Sequence, residues 1–97
     1  MARFRINYSK VIRQADDIEE LSRDLNREIG RLENLLSQIK REWCGPASEA
    51  FQNQLTMLIA DMKATKHGMS NVSGTIKDVA GRIQDEDERL AMQMAQR

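Results

Sequence analysis

Apolar residues return at every third or fourth position along most of the chain, and one short segment interrupts them. In the first half the line runs Phe4, Tyr8, Val11, Ala15, Ile18, Leu21, Leu25, Ile29, Leu32, Leu36, Ile39 and Trp43. It covers 39 residues in 11 steps, a mean of about 3.5. In the second half it runs Phe51, Leu55, Leu58, Met62, Thr65, Met69, Val72, Ile76, Val79 and Ile83, again with a mean of about 3.5. That repeat keeps a narrow stripe of an α-helix turned toward a neighbouring helix. A strand would alternate with period two instead. The chain is therefore expected to be all-α.

The interruption is Trp43-Cys44-Gly45-Pro46, which holds the only Trp, the only Cys and the only Pro. Pro46 lacks an N–H and has a fixed φ, which suits the first turn of a new helix. It also pushes Gly45 out of the α region, and glycine can take the positive φ that ends a helix. Glu49 then falls in the first turn of the second helix, where the helix dipole favours an acid. The reading is one domain, residues 1–97. A helix runs from about 7 to 42, a bend from 43 to 46, a helix from about 47 to 86, and a frayed tail from 87 to 97. The ring of Trp43 is expected over Ala47, Ala50 and Phe51. The tail is expected to fray because the pattern fades into Asp85-Glu86-Asp87-Glu88 and returns only at Leu90, Met92 and Met94.

Each arm spans about 60 Å at 1.5 Å per residue, and two antiparallel helices bury one face of each. Ile12, Leu35, Met57 and Ile59 lie off the main lines and widen the stripe. A two-helix core is thin for this length, and association is the usual remedy in small scaffolds. We expect an antiparallel two-helix hairpin that dimerises into a four-helix bundle. The lines from Ile18 to Ile39 and from Phe51 to Val79 are expected to supply contacts within and between hairpins. Gly74 and Gly81 are seven apart and share a face, which is either a place for close approach of a partner helix or a surface under little demand for helicity.

Charge and composition exclude several functions. The chain has 15 basic and 15 acidic residues, evenly spread, so neither nucleic acid nor an anionic membrane is an expected partner. No apolar run reaches the roughly 18 residues of a membrane span, so membrane insertion is not expected. The basic start, Met1 to Ile6, has no apolar core, so a Sec signal peptide is not expected. A single Cys forms no internal disulfide. Catalysis by Cys44 and His67, each the only residue of its kind, needs contact at about 3 Å. In a hairpin the two are about 30 Å apart. One His and one Cys are too few for zinc, and residues 85–88 lack the Gly and spacing of an EF-hand loop. No Gly-rich phosphate loop is present. No enzyme activity, cofactor, metal or small-molecule substrate is expected.

Trp43-x-Gly45 at the midpoint, with Ala47 and Phe51 at +4 and +8 from the Trp and Leu36 one heptad ahead, resembles the WXG family. These are hundred-residue, Esx-like substrates of bacterial type VII secretion. The resemblance covers nearly the whole chain. It implies a hairpin that dimerises with itself or a related chain, or with the N-terminal helical region of a larger effector. It further implies export of the folded dimer by a membrane ATPase, so that the protein is cytoplasmic before export and secreted or cell-surface after it. In the family, the Trp-x-Gly bend and a C-terminal Tyr-x-x-x-Asp/Glu element together form the export signal. Trp43 and Gly45 match the first part. The second part departs, because the only Tyr is Tyr8. The segment in its place sets Ile83 in the aromatic slot and Asp87 in the acidic one.

Periodicity by itself also fits a cytoplasmic coiled-coil adaptor with no export role. A membrane-lytic hairpin is a third possibility, opposed by zero net charge and by charged residues spread between the apolar lines.

Overall fold

The structure is a computed structural model and describes residues 7–95. Phe4, at the head of the first apolar line, lies outside the described residues, as do positions 96 and 97 of the expected tail. Asn7 opens the first helix, α1 (Tyr8–Glu42). Its side-chain oxygen accepts from the N–H of Lys10 at 3.1 Å, which satisfies one of the free donors of the first turn. Lys40 and Arg41 occupy the last turn, where the dipole favours cations.

The second helix, α2, runs from Pro46 to Ala95. The fray expected from 87 onward is corrected: the helix continues unbroken through Leu90, Met92 and Met94. No Gly or Pro follows Gly81, and Glu, Arg, Leu, Ala, Met and Gln are strong helix formers. Arg89 also pairs with Glu86 one turn earlier. The two helices form a rod of 79 × 17 × 17 Å, as two antiparallel arms joined by a short bend. The end of α2 projects beyond the start of α1.

The two helices meet along a line that differs from the more apolar one in the sequence. On α2 the residues turned toward α1 include Ser48, Leu55, Ile59, Met62, Met69, Ser73, Ile76 and Ala80. On α1 they include Ala15, Ile18, Ser22, Leu25, Ile29, Leu32, Leu36 and Ile39. Near the bend the contact is apolar. Ile29, Leu55 and Ile59 are buried, with Leu25, Leu32, Leu36, Ile39 and Met62 packed around them. Toward the open end it is made of small and polar residues. The Ser73 hydroxyl donates to the Ala15 carbonyl at 2.8 Å. The Ser22 hydroxyl bonds the Lys66 carbonyl at 3.2 Å and lies 3.0 Å from the Ser70 hydroxyl.

Candidate functional site: the bend and one apolar flank

The bend is a compact knot of backbone and side-chain hydrogen bonds. Trp43 leaves the helix in an extended conformation, and its N–H still donates to the Ile39 carbonyl at 2.9 Å. Gly45 has φ +115, a conformation that side chains disfavour. The Gly45 carbonyl accepts from Glu49 N–H at 3.0 Å, which starts α2. Ser48 is fully buried. Its hydroxyl donates to the Trp43 carbonyl at 2.8 Å and accepts from Gln52 Nε2 at 3.0 Å. These bonds fix the direction in which Trp43 leaves the rod.

The Trp43 ring packs on Phe51, with centroids 6.0 Å apart and planes at 47°. That tilted geometry is favourable for aromatic pairs. Both rings remain nearly half exposed, at 45% and 44%. A shallow pocket of about 220 Å³ beside them is lined by Lys40, Trp43, Cys44, Gly45, Ser48, Glu49 and Gln52. The Cys44 thiol is exposed and free. His67 is also exposed, in the middle of α2. Among the described residues there is no group of three or more His, Cys, Asp or Glu placed to hold a metal. No described helix is long and apolar enough to cross a membrane.

At the other end, Asp87 does have a tyrosine beside it, supplied by α1. The Tyr8 hydroxyl donates to Asp87 Oδ2. That hydrogen bond, with some desolvation and the nearby charges of Asp87 and Glu88, pushes the Tyr8 phenol up to about 12. Ile83 lies one turn before Asp87 and is about one-third exposed. Sequence order hid this pairing, because Tyr8 and Asp87 are 79 residues apart. The antiparallel register of a hairpin is the signal that joins them.

The two flanks of the rod differ in kind. One carries the cross-helix ion pairs. Lys77 Nζ lies 2.6 Å from Asp16 Oδ1 and 3.1 Å from Glu19 Oε1. Lys63 lies 3.8 Å from Glu33, and Lys66 donates to Asn26 Oδ1 at 3.0 Å. The hydrogen bond from Lys77 holds the Glu19 carboxyl below its ordinary range. Hydrogen bonds to Asp16 and then Glu19 raise Lys77. The opposite flank is apolar. Leu21, Leu35, Phe51, Leu58, Val72 and Val79 are all exposed there. Each of Leu21, Leu35 and Val79 lies two residues beyond Glu19, Glu33 or Lys77, about 200° around its helix. Val11, Thr75, Ile76, Val79, Ala80 and Ile83 line a groove of about 300 Å³ at the open end. Phe51, Gln54, Leu55 and Leu58 line one of about 270 Å³ near the bend.

The residues expected along the apolar lines therefore divide. Ile29 and Leu55 are buried, and Ile18, Leu25, Leu32, Leu36, Ile39, Met62, Met69 and Ile76 are half-buried between the helices. Leu21, Phe51, Leu58, Val72 and Val79 are not covered within the hairpin. The missed contact residues are Ser22, Ser48, Ser73, Ala80 and Ile59, all buried. Ser22 and Ser48 continue the heptad positions of Ala15 and Leu55 with polar side chains, whereas Ile59, Ser73 and Ala80 lie one residue beyond Leu58, Val72 and Val79. Gly74 and Gly81 face open space, with no α1 atom near an added Cβ.

The model of one protein family, WXG100, described as proteins of 100 residues with WXG, matches residues 3–96. No curated protein matches the chain significantly. Among solved structures, the chain resembles that of a point mutant of EsxB, a secreted protein from Bacillus anthracis strain Sterne. The TM-score is 0.73 at 21% identity, over 90% of this chain and 96% of that one. At that identity the likeness speaks for the shared hairpin fold.

Proposed function

Given that the chain belongs to the WXG100 family, we propose that it is a small, non-enzymatic substrate or partner subunit of type VII secretion. It leaves the cell folded, without a Sec signal, as one hairpin of a four-helix assembly. Its partner is a second hairpin or the N-terminal helical region of a larger effector. The secretion ATPase recognises the bend, with Trp43 and Gly45 presenting the aromatic surface. Ile83 and Asp87 form the C-terminal element of the same signal, and the Tyr8 hydroxyl of α1 lies against Asp87 in place of a tyrosine on α2.

The observation that carries this reading is the exposed Trp43–Phe51 pair at the closed tip of a rod. A solitary rod leaves those rings and one apolar flank in water. A fold that travels with a partner and is read at its tip uses both surfaces. The uncovered flank favours this over a membrane-active role, since its opposite flank is laced with ion pairs rather than uniformly cationic.

The test is secretion of Trp43→Ala from a strain with an intact type VII system. The extracellular protein should fall at least tenfold while the helical signal by circular dichroism stays unchanged. Undiminished extracellular Trp43→Ala would remove the bend from the export signal. Wild-type protein confined to the cell pellet would leave the chain as a cytoplasmic adaptor.

A further inference from the structure

We propose that residues 1–6, which precede the described residues, are a strap that folds back from the start of α1 over the apolar groove at the open end. The occupant of the groove is the chain's own N-terminal segment, so the inference is independent of how the protein is exported.

The way α1 begins sets the direction. Asn7 has an extended backbone, φ −81 and ψ 91. Its carbonyl accepts from Val11 N–H at 3.1 Å and its side chain from Lys10 N–H at 3.1 Å. Asn7 is therefore the cap, Ile6 the residue before it, and Val11 the fourth residue of the helix. Apolar residues at those two places pack on each other and fix the angle at which the chain enters the helix. Ile6 and Val11 are such a pair. Val11 also lines the groove of about 300 Å³, together with Ile76, Val79 and Ile83 of α2. Packing Ile6 on Val11 aims the preceding residues along the groove.

A straight continuation of α1 is disfavoured on two counts. The extended Asn7 interrupts the helix. Arg3 and Arg5 would also stand in a first turn, where the helix dipole opposes cations.

The sequence of the segment suits a strap. Ala2, Phe4 and Ile6 alternate with Arg3 and Arg5, the period of an extended segment with one apolar face. With Ile6 on Val11, Phe4 falls on the same side and enters the groove, and the two arginines turn to water. The reach is sufficient. From Asn7 to Phe4 an extended chain spans up to about 10 Å. Tyr8 stands level with Asp87, so Ile83 and Val79 lie about 6 and 12 Å down the rod from there. Charge agrees as well. Asp85, Glu86, Asp87 and Glu88 make the open end of α2 acidic, which favours a segment carrying two arginines. The strap covers apolar surface of Val79 and Ile83, and a helix that docks at the open end must first displace it.

The test uses the full chain with Cys44→Ser as background and a short bis-maleimide linker as probe. Phe4→Cys combined with Val79→Cys should link within one chain, several-fold faster than Phe4→Cys combined with Leu90→Cys. A straight continuation of α1 would favour the Leu90 position instead. In the chain with no other change, Phe4→Leu should remove an aromatic ring-current shift from the Val79 and Ile83 methyl resonances. Linkage to Leu90 as fast as to Val79, linked product at twice 11.2 kDa, or methyl resonances that ignore Phe4→Leu would each overturn the strap.

Discussion

The half of the hairpin beside the bend and the half at its open end are held together by different forces. Beside the bend, Ile29, Leu55 and Ile59 are almost completely buried among larger apolar neighbours. Hydrophobic burial dominates there. At the open end the buried residues are Ala15, Ser22, Ser73 and Ala80, which bury little apolar area. Cross-helix hydrogen bonds, the Lys77 ion pairs and the Tyr8–Asp87 contact join the helices instead. The larger open-end residues, Val72, Val79 and Ile83, are turned outward. The lesson concerns where apolar area is used. The bend half is built to hold the hairpin closed, and the open half leaves its larger apolar residues outside the contact between the helices.

The largest effect that would break this contrast is a cavity beside the bend. Ile29 is 2% exposed, and truncating a buried Ile to Ala costs about 2–5 kcal/mol. Ile29→Ala should lower the urea midpoint strongly at fixed protein concentration. If it moves the midpoint no more than open-end substitutions do, the contrast is wrong. A smaller effect is expected from Ser73→Ala, which removes one buried donor. The Ala15 carbonyl it serves lies within α1, so the loss is about 1 kcal/mol. Hydrogen exchange should speed up around Ala15 and Ser73 and stay unchanged around Ile29 and Ile59.

The two helices and the bend were legible in the sequence, because a 3.5-residue repeat broken by Gly-Pro has few other solutions. The inward line was less legible. On α2 the apolar residues Phe51, Leu58, Val72 and Val79 mark the outer flank, while Ser48, Ser73 and Ala80 mark the contact with α1. A broad stripe contains two heptad lines, and hydrophobicity favours the one that α1 leaves exposed. Small residues win the inner line at the open end because they let the helices approach. The helical tail was misread for a related reason. An acidic run lacks an apolar stripe, yet it remains compatible with a helix when Arg89 can pair with Glu86. At the bend, Trp43 and Gly45 stood out in sequence, but Tyr8 beside Asp87 needed the antiparallel register.

The smallest predicted effect sharpens the comparison through pH. Glu19 is held below its ordinary 4.5, chiefly by the hydrogen bond from Lys77. Its contribution is therefore complete above 4.5 and is lost as pH falls through the lowered value. Lys77 is raised above 10.5 by Asp16 and Glu19, so its contribution is complete below 10.5 and is lost as pH rises through the raised value. Tyr8, raised from 10.0 to about 12 by Asp87, behaves like Lys77 and loses its contribution across that interval. All these groups join the open halves of the helices, and all lie at the surface, so the effects are small and screened by salt. Exchange of the amides around Ala15 should be slowest on the plateau between 4.5 and 10.0 and should quicken, after correction for intrinsic rates, on either side. Lys77→Met should flatten the acid limb, and Tyr8→Phe should flatten the part of the alkaline limb below about 12. Protection around Ile29 should follow neither substitution, because the Lys77 and Tyr8 contacts lie toward the open end. Equal pH dependence in the two halves would mean that the hairpin opens only as a whole, and the division of labour between its ends would fail.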